Sequence, residues 1–512
     1  MLGTLASLSA CAVGPDFERP HPQAPAGYVA ADPVRETVSV PAAGGGEQVL
    51  LYGHGPPAAW WRLFDSAALD GLVAQAVSQN LDLAAARARL RRTEALLRAD
   101  TGLRYPMIGI EGDASRQRPL AAGSASGGSA GGGGASGSGA PGGGSGSSAY
   151  NVYTASGVVS YNLDLFGRED RLIEAQAART QQQRFEVQAA YLSLIGNVVS
   201  TTLAGAALRA EIALRQDLIA AQDRRLRFID VQVAEGYVAR ADLVTARADL
   251  AAVRAPLPVL AQRLAENEHR LALLVGRAPG GWAPPPVRFE DLELPRRLPV
   301  TLPSILVRQR PDILAAESAL HAASAEIGVA TADLYPQITL TASFGVGGVD
   351  LPNLPASLDP IWTLGAGLAA PIFQGGRLRA LRDAAVMAFE AALAEYRQTV
   401  LDAFVEVADA LRAIEHDARA LRAQHEAVEA AQESLDLAEF RFEAGVVDYV
   451  DVLIARQQYQ EASIAYVNAL GRRYQDTAAL FAALGGAVPQ EAAALHTAAL
   501  RSAPPTSWST VR

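Results

Sequence analysis

The side chain with the most distinctive chemical setting in this 512-residue chain is its single cysteine, Cys11. Residues 1–10 are short and apolar and lead through Leu8-Ser9-Ala10 into the thiol. Small residues ahead of a cysteine have the form of a lipoprotein signal sequence, in which the thiol is lipidated and becomes the mature N-terminus. A chance cysteine in a disordered tail would look the same. No Arg or Lys precedes the apolar stretch, although a secretory signal carries a positive start, so the expectation is a truncated signal with the true start codon upstream. Ala12, rather than Asp, follows the cysteine, which in a Gram-negative cell favours sorting to the outer membrane. One cysteine excludes an internal disulfide and a cysteine zinc cluster.

Little else in the chain is arranged for chemistry. There is no nucleophile elbow, P-loop or metal-ligand spacing. The glycines 131–134 and the run Gly345-Val346-Gly347-Gly348 lack a following phosphate-binding helix. His416 and His425 are nine residues apart on an expected helix, too far for one metal, and are expected to face solvent. Every basic residue is Arg, the net charge is −10 and no basic cluster stands out, which argues against nucleic acid as a partner. An enzyme is not expected, nor any cofactor beyond the lipid on Cys11.

The elements that position these residues occur twice. Asn80 to Pro106 reappears as Arg310 to Pro336 at an offset of 230, with Asp82 on Asp312, Leu90 on Leu320 and Tyr105-Pro106 on Tyr335-Pro336. Beyond that the offset is 209, placing Gly167-Arg168 on Gly376-Arg377, Gly236 on Gly445, Asp242 on Asp451 and Ala246-Arg247 on Ala455-Arg456. A Gly/Ser run at 121–149, expected to be a flexible extracellular loop, absorbs the difference. The expected organisation is a signal sequence over 1–10, an extended segment over 11–60, a first repeat over 61–290, a second over 291–486 and a disordered tail over 487–512.

Within each repeat the pattern predicts a helix, two strands, a long helix and a further helix. Helices are expected at 67–79, 80–104, 168–233 and 239–275, the last broken by Pro256 and Pro258, then at 312–334, 376–444 and 447–484. Strands are expected near 105–119, 150–164, 335–349 and 360–373. In one of them Ile338, Leu340, Ala342, Phe344 and Val346 alternate with Gln337, Thr339, Thr341, Ser343 and Gly345. Ten-residue alternation with a small or polar second face suits an outer-membrane barrel strand, and also a half-buried soluble hairpin. No apolar run reaches the ~18 residues of a spanning helix, so any crossing is expected to be a barrel. Four strands leave two open edges, which lipid does not tolerate, so closure requires several copies.

The long helices set a length of about 100 Å each at ~1.5 Å per residue. The shorter helices of each repeat, stacked end to end, would make a column of similar length. Phe389, Leu393, Tyr396, Val400, Ala403, Val407, Ala410 and Ile414 keep a 4-3 spacing, the seam of coiled-coil packing.

With these features in place, the sequence resembles the TolC family of outer-membrane factors, in particular its OprM-like, NodT-type efflux lipoprotein branch. The residues that carry the likeness are Cys11 to Pro20, Trp60-Trp61-Arg62-Leu63-Phe64-Asp65, Leu163 to Arg168, Leu302-Pro303-Ser304, Arg310-Pro311-Asp312-Ile313, Pro371 to Arg377, and Gly445 with Asp451-Val452-Leu453. They span about residues 11–486.

The resemblance implies a mixed α+β membrane protein: a homotrimer forming a 12-stranded outer-membrane β-barrel, continuous with a long periplasmic α-helical coiled-coil barrel. It implies partners as well, namely a periplasmic adaptor protein, an inner-membrane pump of the resistance-nodulation-division type and outer-membrane lipid. The turns at Gly236 and Gly445 correspond to tips that touch the adaptor, and both glycines also serve simply to end helices. Asp451 matches one position of the family's aspartate ring at the periplasmic aperture, whereas Ile454 stands where a second Asp is common. Asp448 and Asp242 are candidates to complete the ring, with helix capping as the alternative role. The implied function is passive export of small toxic compounds. Type I protein secretion is the alternative within that architecture, and a periplasmic adaptor or structural coiled-coil lipoprotein the alternative outside it.

Overall fold

The computed structural model describes residues 12–21, 24–29, 32–42, 44–117, 149–348 and 359–485. Residues 1–10, Cys11, the Gly/Ser run up to 148 and the tail at 487–512 lie outside the described residues. In chain order the elements are β1 (Val49–Tyr52), α1 (Ala67–Gln79), α2 (Leu81–Thr101), β2 (Met107–Gln117), β3 (Tyr150–Leu163), α3 (Arg168–Ala234), α4 (Arg240–Arg254) and α5 (Leu257–Leu274). There follow β4 (Arg297–Val300), α6 (Pro303–Gln309), α7 (Pro311–Ala332), β5 (Gln337–Gly348), β6 (Asp359–Ala369), α8 (Arg377–Glu443) and α9 (Tyr449–Ala483).

Local chemistry explains most of these bounds. Ser66 caps α1, its side chain accepting the Leu69 amide, and Asn80 Oδ1 accepts the Leu83 amide to start α2. Pro256 closes α4 and serves as the N-cap of α5. Repeat-related elements begin at the sequence offsets: Leu81 and Pro311, Met107 and Gln337, Tyr150 and Asp359, Arg168 and Arg377.

The chain divides into two compact units. One comprises residues 12–17, Leu96–Gln176 and Ala323–Ala388 and contains a four-stranded antiparallel sheet in the order β2-β3-β5-β6. The other comprises residues 18–95, 177–322 and 389–485 and holds the main core. There Trp60 stacks on Phe481 at 5.5 Å and Tyr474 lies between Phe64 and Phe289. Tyr396, Val400, Ala403, Val407, Ala410 and Ile414 of the α8 seam are buried in this core, while Phe389 and Leu393 are half-buried.

In the same unit two pairs of helices meet end to end. Asn80 Nδ2 donates to the carbonyl of Leu274, joining α5 to α2, and Arg310 Nη1 donates to the carbonyl of Ala483, joining α9 to α7. The two junctions are repeat-related. Each satisfies a carbonyl that a helix C-terminus would otherwise leave bare. Arg310 is also held by Asp312 and Glu406, at 2.7 Å each.

One expectation gains detail and a second needs correction. Within the extended segment over 11–60, Val49-Leu50-Leu51-Tyr52 forms a strand that pairs in parallel with Arg297-Leu298-Pro299-Val300, almost 250 residues away. The second concerns membrane-spanning potential. Residues 187–208 of α3 carry no charge, and by length and composition this helix could cross a membrane. Ile195, Val198, Val199 and Leu203 of that run are fully buried in the main core, so packing accounts for its hydropathy.

Candidate functional site

The strand register of the sheet unit sorts side chains onto two faces. Directly paired residues share a face, since alternation along a strand has period two. One face carries Ile108, Ile110, Val159, Tyr161, Leu340, Phe344, Trp362, Leu364 and Leu368. The other carries Glu111, Asp113, Ser156, Ser160, Thr339, Thr341, Ser343 and Thr363. In a half-buried soluble hairpin the apolar face would be covered. Here Ile110 is 90% exposed, Trp362 74% and Phe344 69%. An uncovered apolar sheet with a polar reverse is suited to lipid on one side and water on the other. Strands β2 and β6 are both edges, each with a row of unpaired backbone groups.

The residues just after Cys11 are tied to this unit. The Val13 amide donates to the Phe166 carbonyl, Asp16 pairs with the buried Arg171 at 2.7 Å, and Ala12 lies so close over Gly167 that a side chain there would collide with it. Gly167 has φ +74 and makes the turn from β3 into α3.

In the other unit, α3 with α4 and α8 with α9 form two antiparallel hairpins, and their turns are built alike. Gly236 donates to the Val233 carbonyl and Tyr237 to that of Gln232; Gly445 donates to Phe442 and Val446 to Arg441. Both glycines have positive φ, +79 and +71, and this bonding pair is the Schellman closure. Open space surrounds each, and Tyr237 and Val446 project into solvent.

Asp448 occupies the N-cap of α9, but its side chain makes no capping bond. Asp451 lies in the first turn of α9 and Asp242 in the first turn of α4. Asp448 and Asp451 are exposed and Asp242 is half-buried. Their chain neighbours Leu243, Tyr449 and Val452 meet in one small buried cluster, which brings the two helix starts together without joining the carboxylates themselves. Ile454 is half exposed and lines a cleft of about 470 Å³ whose walls mix Leu218, Val253 and Leu453 with Arg215, Asp249 and Glu461. Among the described residues no group of three or more His, Cys, Asp or Glu side chains is placed to hold a metal.

Polar contacts that were not anticipated hold the hairpins. Arg247 pairs with Asp230 across the first hairpin, and the repeat-related Arg456 pairs with Glu439 across the second. The first pair is about 60% exposed on both sides, whereas Arg456 is only 12% exposed. Arg225 of α3 lies over the rings of Phe442 and Tyr449, linking one hairpin to the other. The recurrence of Arg247 as Arg456 was the available signal. The stacking of Arg225 had none, because its rings lie more than 200 residues away. His425 departs from expectation: its ring is largely buried, 5.9 Å from Tyr466 and within 3.3 Å of Glu429. His416 is exposed.

An uncovered apolar sheet joined through continuous helices to two long hairpins defines an outer-membrane channel class with a mixed, mainly helical fold. The chain belongs to the outer membrane efflux protein family, which matches it over residues 72–277 and 302–486. It is 31% identical over 431 residues to the pyoverdine export outer membrane protein OpmQ of Pseudomonas putida, covering 84% of this chain and 88% of that one. To the cation efflux system protein CusC of Escherichia coli O6:H1 it is 26% identical over 484 residues, covering 94% and 96%. The solved outer-membrane channel OprN superposes with a TM-score of 0.79 at 27% identity, covering 93% of this chain and all of that one. These relatives are outer-membrane factors of the TolC and OprM type, transport proteins rather than enzymes.

Proposed function

We propose that this chain is the outer-membrane exit duct of a tripartite efflux system, passively conducting small toxic compounds delivered by a periplasmic adaptor and an inner-membrane pump. The observation that carries the proposal is the sheet with one bare apolar face, one small and polar face and two open edges. Three copies contributing four strands each would close a 12-stranded barrel with no edge in lipid. The lipid face then meets the bilayer, the polar face lines a water path, and the helices continue the tunnel into the periplasm.

Cys11 is the proposed lipidation site. Residues 12–16, which would directly follow the lipidated Cys11, are held at the β3–α3 turn of the sheet unit, which supports an anchor whose acyl chains enter the membrane around the sheet. The turns at Gly236 and Gly445 are proposed to meet the adaptor. Asp451, with Asp448 and Asp242, is proposed to line the periplasmic aperture, where symmetry-related carboxylates would concentrate cations. Energy coupling belongs to the pump, which in this reading is of the resistance-nodulation-division type.

OpmQ is named for pyoverdine export and CusC for cation efflux. Two such unlike cargoes on chains similar over most of their length support a duct that admits by width rather than by a binding site. Deleting the gene should raise intracellular accumulation of dyes and drugs and lower the inhibitory concentrations, with restoration by the full-length chain. Unaltered accumulation of every compound, alongside loss of a secreted protein, would favour protein secretion instead.

A further inference from the structure

We propose that the cleft between α3, α4 and α9 is a binding site for a small amphipathic organic cation that carries N–H groups. The site goes beyond the export reading, which needs no binding site, and all of its walls come from one chain.

Helical spacing builds the cleft. Leu218 and Gln222 lie four apart on α3, Asp249 and Val253 four apart on α4, and Leu453 and Gln457 four apart on α9. Side chains so spaced share one face of a helix, and the three faces meet around about 470 Å³. That volume suits a small organic molecule. With Ile454, the leucines and the valine give the cleft an aliphatic lining.

The polar groups decide what can enter. Two arginines reach the cleft, and each is already matched: Arg215 by Glu211 at 2.9 Å, and Arg456 by Glu439. Arg225 does not line the cleft, because its guanidinium lies over the rings of Phe442 and Tyr449. Two carboxylates are left over. Neither Asp249 nor Glu461 forms an ion pair among the described residues. Glu461, at the exposed rim, accepts a hydrogen bond from Gln457 Nε2 at 2.9 Å. Asp249 is half-buried and its Oδ2 has no hydrogen-bond partner. Burial raises its carboxyl above the ordinary range, and Arg456, beyond ion-pair distance, opposes this only in part.

A separate observation points the same way. Gln222 is only 8% exposed, lines the cleft, and its Oε1 is buried without a hydrogen-bond partner. A bare buried carbonyl costs free energy until a donor reaches it. Gln222 Oε1 and Asp249 Oδ2 therefore both call for N–H donors, and the surplus negative charge calls for a cation. An anion would meet two carboxylates. A hydrated metal ion would leave the aliphatic walls uncovered, whereas an organic cation fills both parts of the cleft.

Ethidium, a planar cation with aromatic amino groups, serves as the probe. Titrated into the full-length protein in detergent and followed by fluorescence anisotropy, with detergent alone as the blank, it should bind saturably. Asp249→Asn should weaken binding about tenfold or more, because a charge-assisted hydrogen bond is lost. Gln222→Leu and Glu461→Gln should each weaken it several-fold. Val253→Phe fills the cleft and keeps every charge, so it should abolish saturable binding. Circular dichroism matching the parent's shows that each variant is folded. Absence of saturable binding by the parent, or unchanged affinity in both Asp249→Asn and Val253→Phe, would overturn the site. Loss of affinity in Asp451→Ala with Asp249→Asn unaffected would place the dye at the start of α9 and overturn the cleft as well. Each of these outcomes is separate from export, which is read from accumulation in the deletion strain.

Discussion

At the scale of single residues, charge placement sets the testable behaviour. Asp417 of α8 is half-buried, and desolvation, aided by a hydrogen bond to Asp476 and that residue's like charge, raises its carboxyl from 3.8 to about 7. The folded chain thus holds this proton more tightly than the unfolded chain does. The stability it lends is complete below about pH 4 and is lost as pH rises through 7. Asp417→Asn should therefore be neutral in thermal unfolding at pH 4 and stabilising at pH 8 by about 1–2 kcal/mol, a figure already reduced for partial exposure. Equal effects at both pH values would contradict this. At the helix start, Asp451→Ala should weaken block of single-channel current by divalent cations several-fold, since three carboxylates at a constriction bind cations more strongly than none. Unchanged block would remove Asp451 from the aperture. Asp451 was singled out in the sequence by its match to the family's aperture position, and its place in the first turn of α9 was legible from the Gly445 turn before it. The fate of His425 was not, because the Tyr466 ring that covers it comes from another helix.

At the scale of elements, the hairpin turns separate backbone geometry from recognition. Gly445 has φ +71 with nothing within 4 Å, so Gly445→Val meets no clash but strains the backbone by about 1–2 kcal/mol. That is too little to unfold a helix seated on Val452 and Tyr449. Trimer yield should stay near that of the parent while adaptor capture from a pull-down falls, and a parallel loss of both would mean that the turn only terminates the helix. Within the seam, Ile414→Ala should cost about 2–4 kcal/mol, because Ile414 is only 1% exposed. A loss under 1 kcal/mol in chemical denaturation would show that the seam is not packed. Helix ends were legible because Gly236, Gly445, Pro106 and Pro256 punctuate them locally. The pairing of β1 with β4 was hidden, since Val49–Tyr52 finds its partner only through tertiary structure. The end-to-end junctions at Asn80 and Arg310 were foreseeable in outline from summed helix lengths, but not the side chains that make them.

At the scale of the molecule, one chain is an incomplete object. Its sheet has two open edges and an apolar face bare to solvent, with Ile110 90% exposed. On the proposed reading, lipid covers that face and further copies pair those edges. The duplication made this visible early, because alternating strands recur at matching places; the register that assigns every strand residue to one face required the structure. The central claim is that copies of this chain close into a duct. Electron microscopy of the detergent-extracted protein tests it most directly. Helices α3 and α8, at 67 residues each, run about 100 Å, and tilted strands add several tens more. The account predicts a hollow, three-fold particle roughly 140 Å long; a monomer, or a short solid particle, would contradict it.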